Sequence, residues 1–368
     1  MIENTTQAVA FGPVLPLPYT SGGYAAPQPL QTLADGGVLL TLSAPGCERV
    51  RAELGAYTGE RALPLQAQGD GLFSVRLPLT PGFYYVQLWA DGLPILSPLL
   101  PIGFGYGRPC NFIDVGPLPP LCRLREVPHG AVSRLYFQSS ATGGPESCLV
   151  YTPPGYEQSA ERYPVLYLQH GHGENETCWV HQGKVNFLLD NLIAEGKARA
   201  MIVVMNDGMV RPGAVRNEEP VRFDLFAQKL LCDAVPFVES RFRTLPGGEN
   251  RALAGLSMGS IQAGMLGFTH PEVFCYLGLF SGFMQNIMQP SENTHLKALL
   301  RDVAGFSRQN RLLFRCMGAD DAFFPRFLED DALCEAHGVP CDRRVYPGGH
   351  DWNVWRACAA DFLPLLFR

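Results

Sequence analysis

Apolar residues follow two different rhythms along this chain. From Gly36 to about Ile102 they alternate with polar ones in short runs: Val38–Leu42, Val50–Leu54, Leu72–Leu77 and Phe83–Trp89. Period-two runs broken by turn residues predict half-buried strands. Asp91-Gly92 between two of them predicts a hairpin turn. Further on the apolar runs become continuous, as in Val165–Gln169, Ala200–Met205 and Arg251–Ala254. Such runs predict strands buried on both faces. Between them Val185, Leu188, Leu189, Leu192 and Ile193 fall on one helical face, and the helix is expected to end near Gly196. Phe223 to Phe242 reads as a long helix, Arg311–Met317 and Arg343–Tyr346 as late strands, and Trp352 to Phe367 as a terminal helix.

Strands alternating with helices predict an α/β domain with a mostly parallel sheet, preceded by a small β-sandwich. The expected division is an extended arm over 1–29, rich in Gly, Pro and Thr, then a β-sandwich over 30–105, a linker over 106–127 and an α/β domain over 128–368. The run Gly103-Phe104-Gly105-Tyr106-Gly107-Arg108 has the glycines of a phosphate loop but no helix pattern after it, so it is read with the linker. The stretch from Val210 to Arg222 holds Pro212, Gly213 and Pro220 and is expected to overhang the site.

Gly255-Leu256-Ser257-Met258-Gly259 stands between a buried strand and a helix over Ser260–Thr269. A serine between glycines at a strand-to-helix turn has the form of the nucleophile elbow of α/β hydrolases. A serine hydroxyl is a weak nucleophile and needs a base, itself oriented by a carboxylate. In chain order the acid and then the histidine follow the serine. Strand Arg311–Met317 runs into Gly318-Ala319-Asp320-Asp321, and strand Arg343–Tyr346 runs into Pro347-Gly348-Gly349-His350-Asp351-Trp352. His350 is therefore the candidate base. The oxyanion donors are expected to be the backbone amides of Met258 and of His172, the latter on the loop His170-Gly171-His172-Gly173. A rival reading takes the alternation of His170, His172, Glu174 and Glu176 as metal ligands. A serine machinery elsewhere in the chain makes that reading unnecessary, and no metal or cofactor is expected.

Composition narrows the function classes. At 368 residues, with 46% hydrophobic and 17% charged, the chain can bury large cores, and its length points to two domains. The 29 basic residues against 35 acidic ones give a net charge of −6, with a pI near 5.8. No basic run exists to track phosphates, so nucleic acid is not an expected partner. No apolar stretch approaches the ~20 residues that cross a bilayer, so neither is a membrane. Met1–Thr6 lacks a charged start and a sustained apolar stretch, so no secretion signal is read. The eleven cysteines form no C-x-x-C pair, and several fall in apolar patterns. Buried free thiols and a cytoplasmic location are expected, unless a leader has been removed.

From about Val127 onward the chain resembles the carbohydrate esterases that include feruloyl and acetylxylan esterases. The resemblance rests on Tyr151-Thr152-Pro153-Pro154-Gly155-Tyr156, on Tyr163–Leu168 running into His170-Gly171, on the elbow, and above all on Gly348-Gly349-His350-Asp351-Trp352-Asn353-Val354-Trp355. In that family's pattern the acid is the fourth residue of a G-x-x-D turn, which puts it at Asp321 rather than Asp320. Ser260 stands where the family commonly has a second glycine. The sandwich, with Pro81-Gly82-Phe83-Tyr84-Tyr85, resembles the immunoglobulin-like modules related to glycogen-binding domains that precede some of these esterases. Trp89 and Tyr85 could stack on a sugar, though alternating aromatics more often form core.

The resemblance implies an acyl-enzyme serine esterase acting on a small-molecule or oligosaccharide ester. Hydroxycinnamoyl esters of plant origin come first and acetyl esters second. Trp179, Trp352, Phe323 and Asp207 are the candidate substrate contacts, with Phe324 and Trp355 nearby. Two alternatives stay open. A siderophore esterase would need cations at the site, for which Arg211, Arg216 and Arg222 are the hint. A carbohydrate-binding protein with a vestigial hydrolase domain is disfavoured by the intact Ser257, Asp321 and His350. A homo-oligomer is left open.

Overall fold

The structure is a computed structural model, and it describes residues 19–20, 23–24, 28–55, 61–77, 79–211, 221–289 and 293–368. Most of the expected N-terminal arm, and residues 212–220 of the expected overhanging loop, lie outside the described residues. The chain divides into two compact units, Met1–Leu118 and Pro119–Arg368.

In the first unit a two-residue ladder pairs β1 (Tyr19–Thr20) with β2 (Gly23–Tyr24). One antiparallel sheet contains β3 (Leu30–Thr32), β4 (Val38–Ser43), β7 (Gln66–Gly69) and β8 (Leu72–Leu77) in the order β3-β4-β8-β7. The other is built on β5 (Val50–Gly55), β6 (Arg61–Pro64), β9 (Gly82–Ala90), β10 (Leu93–Ile95), β11 (Ile102–Gly105) and β12 (Arg108–Val115). Leu40 and Leu42 of the first sheet, and Ala52, Val86 and Leu88 of the second, belong to one buried apolar cluster. The alternation read from the sequence is thus the inward face of two sheets sharing a core. Asp91 and Gly92 have φ of 48° and 85° and close the β9–β10 hairpin.

The linker reading of 106–127 needs correction at its start. Arg108–Val115 is a strand paired on both sides, with β9 and with β11. Tyr106 and Gly107, at φ 56° and 74°, make the hairpin turn between β11 and β12. Gly105 lies so close to Tyr85 that a Cβ there would sit 2.9 Å from the ring. The glycines of this run therefore serve a tight hairpin laid over an aromatic ring. Tyr85 is buried, and the guanidinium of Arg51 lies 4.7 Å from the centre of the Trp89 ring.

The second unit is an eight-stranded mixed sheet. Its strands are β13 (Ala131–Gln138), β14 (Pro145–Thr152), β15 (Val165–Gln169), β16 (Ile202–Asn206), β17 (Arg251–Leu256), β18 (Tyr276–Phe280), β19 (Leu312–Gly318) and β20 (Asp342–Tyr346). Their order is β13-β14-β16-β15-β17-β18-β19-β20; the first two pairings are antiparallel and the rest parallel. The helices are α1 (Cys178–His181), α2 (Val185–Ala194), α3 (Phe223–Gln228), α4 (Val235–Arg241), α5 (Met258–Thr269), α6 (Thr294–Arg301), α7 (Val303–Gln309), α8 (Phe324–His337) and α9 (Trp352–Phe362).

Two helices differ from expectation. The long helix read over Phe223–Phe242 is interrupted by a π-helical segment, Lys229–Ala234, and the terminal helix stops at Phe362 before a 3₁₀ turn over Leu363–Leu365. Every residue of β15, β16 and β18 is buried, which is why these strands read as unbroken apolar runs. This is the α/β-hydrolase type of fold. Its parallel strands deliver the loops after β15, β17, β19 and β20 to one edge of the sheet, where strand ends carry function.

Candidate active site

Ser257 sits between β17 and α5 with φ 51° and ψ −117°, a backbone conformation that costs a non-glycine residue strain. The flanking glycines make this turn sterically available. A Cβ on Gly255 would lie 2.5 Å from the Gly259 backbone, and one on Gly259 would lie 2.5 Å from the His170 carbonyl oxygen. Glycine is required at both positions because backbone meets backbone there. Ser260, the departure from the family pattern, donates its hydroxyl to the Ser257 carbonyl at 2.5 Å. Its extra oxygen thus ties down the first turn of α5 behind Ser257.

His350 Nε2 lies 2.9 Å from Ser257 Oγ, and His350 Nδ1 lies 2.7 Å from Asp321 Oδ2. The Asp321 side chain is fully buried and that of His350 is 11% exposed. The second Asp321 oxygen accepts the Phe323 amide at 2.9 Å, so the carboxylate is held from both sides. Asp320 is exposed, and its amide donates to the Gly348 carbonyl at 2.9 Å. A Cβ on Gly318 would sit 2.3 Å from that same carbonyl oxygen, so glycine at the end of β19 lets the acid and histidine loops touch. The adjacent aspartates are separated by the turn: one faces the imidazole and the other faces water.

Met258 opens α5, and its amide belongs to the first helical turn, whose N–H groups lack intrahelical acceptors and carry the positive end of the helix dipole. His172 is on the exposed tip of the loop after β15. The remaining members of the His/Glu alternation go to separate duties. His170 is buried, with Nδ1 at 2.8 Å from the Gly171 carbonyl and Nε2 accepting the Gly208 amide at 2.8 Å. Glu174 accepts the Gly171 amide at 3.1 Å and the Trp352 indole N–H at 2.9 Å. Glu176 accepts from Ser147 Oγ at 2.8 Å and pairs with Arg134. Their donor atoms do not converge, and no metal-ligand cluster occurs among the described residues.

Of the expected substrate contacts, Phe323 alone presents an open face. It is 39% exposed and its ring stands 5.4 Å from that of His350, backed edge-on by Phe283 at 5.2 Å. Trp179 and Trp352 need correction, since both are buried and lie edge to face 5.1 Å apart. The Trp179 N–H is spent on the Gln169 carbonyl at 2.9 Å, as the Trp352 N–H is on Glu174. Asp207 is buried too. Its carboxylate accepts the Met209 amide at 2.9 Å and stands 3.3 Å from His170 Nε2, so it shapes the loop after β16. Trp355 packs edge-on to His350 at 5.3 Å and donates to Ser281 Oγ at 3.0 Å. Phe324 starts α8 and packs with Phe327.

Sequence reading missed three contributors. Lys229 is buried in the π-helical segment, where its ammonium donates to the Asp207 carbonyl at 2.6 Å and to Glu146 at 2.9 Å. The π segment was the available signal only in structure, since π turns leave no sequence pattern and often mark functional sites. Ser281, at φ 42°, and Phe283 come from the loop after β18, which carried no motif. Arg222, a cation weighed for the siderophore reading, is held bidentately by Asp224 at 2.6 and 2.8 Å.

Known proteins place this geometry in a family. The Esterase family model matches residues 139–364. An endo-1,4-β-xylanase/feruloyl esterase of Xylanibacter ruminicola is 30% identical over 345 residues, covering 91% of this chain and 45% of that protein. The chain spans less than half the length of the curated relatives it matches. Among solved structures, a ferulic acid esterase shares 28% identity at a TM-score of 0.58, covering 64% of this chain and 97% of its own. The enterobactin esterase of Shigella flexneri shares the fold at a TM-score of 0.62 with 16% identity, over 91% of this chain and 94% of its own. The strand order, the serine elbow and these matches agree, and the chain belongs to the Esterase family.

Proposed function

We propose that this chain hydrolyses carboxylic esters through an acyl-enzyme on Ser257, and that its acyl group is a hydroxycinnamate such as ferulate. The observation that carries the reading is the continuous hydrogen-bonded series Ser257–His350–Asp321. With Nδ1–H donating to Asp321, the imidazole keeps its Nε2 lone pair for the serine proton. His350 takes that proton as Ser257 Oγ attacks the ester carbonyl, and the buried carboxylate supports the imidazolium that forms. The amides of His172 and Met258 receive the oxyanion. His350 then protonates the departing alcohol, and water repeats the sequence to release the acid.

The acyl preference rests on Phe323 beside the imidazole and on the feruloyl esterases among the relatives. An aromatic wall favours a flat aromatic acid by about 0.5–1.5 kcal/mol beyond simple burial. Of the three arginines weighed for a tri-anionic catecholate ester, Arg222 is paired with Asp224 and Arg216 lies outside the described residues, so that reading stands second. The N-terminal unit fits an immunoglobulin-like module, related to glycogen-binding ones, whose half-buried Trp89 lies under the guanidinium of Arg51. Comparing methyl ferulate with methyl acetate tests the acyl assignment. At least tenfold higher kcat/KM on the ferulate supports it, and equal or better turnover of the acetate overturns it while leaving the esterase reading intact.

A further inference from the structure

A second group of reactive side chains lies in the second unit, on the far stretch of β19 from the acid loop. Arg315 is 1% exposed, and its Nη1 donates to Asp331 at 2.9 Å while standing 3.6 Å from Cys334 Sγ and 4.0 Å from Cys341 Sγ. Its Nη2 donates to the Phe327 carbonyl at 3.3 Å and lies 3.8 Å from Asp330, and its buried Nε–H has no acceptor. Cys334 is near the end of α8, and Cys341 immediately precedes β20. Gly338, at φ 64°, and the Val339 amide donating to the Cys334 carbonyl turn the chain back between them. Both sulfurs therefore lie beside one guanidinium, and the Cys334 thiol, which donates to Met284 Sδ at 3.3 Å, is also coupled electrostatically to Cys341.

The charges around the pair favour a thiolate. Arg343, from β20, shares Asp331 with Arg315 at 2.7 Å, so two cations draw on that carboxylate. Asp330 is the other acid on α8, and burial pushes its carboxyl up to about 6, which weakens its negative charge. The interaction with Cys334, followed by the Arg315 charge, pulls the Cys341 thiol below its usual range against burial and Asp331. The same interaction and burial push Cys334 up, leaving it the protonated thiol. Cys341 is half-buried and reachable, whereas Cys334 is 6% exposed. A thiolate beside an arginine, with a second thiol beside the same guanidinium, is the arrangement of a redox-reactive cysteine.

We propose that Cys341 is a peroxide-reactive nucleophile and Cys334 its resolving thiol, a reactive centre independent of Ser257. The Cys341 thiolate attacks one oxygen of hydrogen peroxide, forming an S–O bond as the O–O bond breaks, and the hydroxide released takes a proton to become water. The Cys334 thiol then attacks the sulfenic sulfur. An S–S bond forms, and the sulfenic oxygen leaves with the thiol proton as a second water. Two thiols lose two electrons in all, and one peroxide becomes two waters.

Iodoacetamide mapping of the wild-type protein at pH 6.5, followed by peptide mass spectrometry, tests the nucleophile. The exposed Cys232 serves as internal reference. Cys341 should be alkylated at least about tenfold faster than Cys232, because only the thiolate reacts. One equivalent of hydrogen peroxide should yield a Cys334–Cys341 disulfide in the wild type. In Cys334→Ala it should instead leave a dimedone-reactive sulfenic acid on Cys341, with slower alkylation at pH 6.5. Alkylation of Cys341 no faster than that of Cys232 overturns the proposal, and so does peroxide treatment that leaves Cys341 a free thiol in the wild type.

Discussion

The indole N–H of Trp352 donates to Glu174 at 2.9 Å across 178 residues of chain, and the other oxygen of the same carboxylate accepts the Gly171 amide at 3.1 Å. One buried carboxylate thus joins the loop that carries the His172 amide to the helix that follows His350. Each oxygen has a donor, which is what allows a glutamate to be buried there.

Glu174→Gln keeps the shape but turns one acceptor into a donor that faces another N–H. Leaving a buried donor unsatisfied costs about 1–3 kcal/mol. Urea unfolding should report a loss of that size, accompanied by lower turnover. A variant within about 0.5 kcal/mol of wild type would show that the brace contributes nothing.

Ser257→Ala should lower kcat on the order of 10⁴-fold with folding intact, and should abolish covalent labelling by a fluorophosphonate. Asp321→Asn should be crippled in the same assay, because an amide favours the wrong imidazole tautomer. Asp320→Asn, altering an exposed neighbour, should stay within about threefold of wild type. If the two aspartate variants rank the other way, the acid is misassigned by one residue.

His172→Ala should retain most activity, because the proposed contribution of this residue is its backbone N–H, which alanine also has. Prolonged incubation with a chelator should leave the wild type active. Activity lost on chelation and restored by zinc would favour the metal reading of the His/Glu alternation over the serine mechanism.

Phe323→Ala should reduce kcat/KM for methyl ferulate by about three- to tenfold while changing methyl acetate turnover little, in line with about 0.5–1.5 kcal/mol for one aromatic contact. An equal loss on both esters would mean that Phe323 supports His350 and does not select the acyl group.

Asp330 gives a pH dependence with a definite sign. Its carboxyl has an ordinary value of 3.8 and is pushed up to about 6 by burial in the folded protein. Between those values the folded state keeps a proton that the unfolded chain has released, so stability falls as pH rises through this window and the cost is fully present above it. Asp330→Asn can still accept the Met284 amide, now held by Asp330 at 2.8 Å, without the charge. Its unfolding free energy relative to wild type should therefore rise between pH 4 and 7, on the order of 2 kcal/mol. A difference that stays flat with pH would rule this out.

The sequence alone determined the features that rest on local geometry. Val165–Gln169 was legible to the residue because a strand buried on both faces has to be continuously apolar. The elbow was legible because Gly255 and Gly259 leave no room for a Cβ, and no other residue removes that contact. His350 was proposed from its loop and chain order, and Asp321 over Asp320 from the pattern of the family that the chain resembles. Tertiary structure decided everything that depends on which faces meet. Trp179 and Trp352 look like ligand-binding aromatics in one dimension, and only packing shows their rings edge to face in the interior, with both N–H groups spent on the protein. Gly103–Gly107 has the glycines of a loop, but the pairing of Ile102–Gly105 with β12 makes it part of a sheet. Lys229 carries no motif at all, and Glu174 sits in an alternation that suggests a metal ligand and not a brace. A buried charge takes its role from partners far along the chain, and only the fold brings those partners within hydrogen-bonding distance.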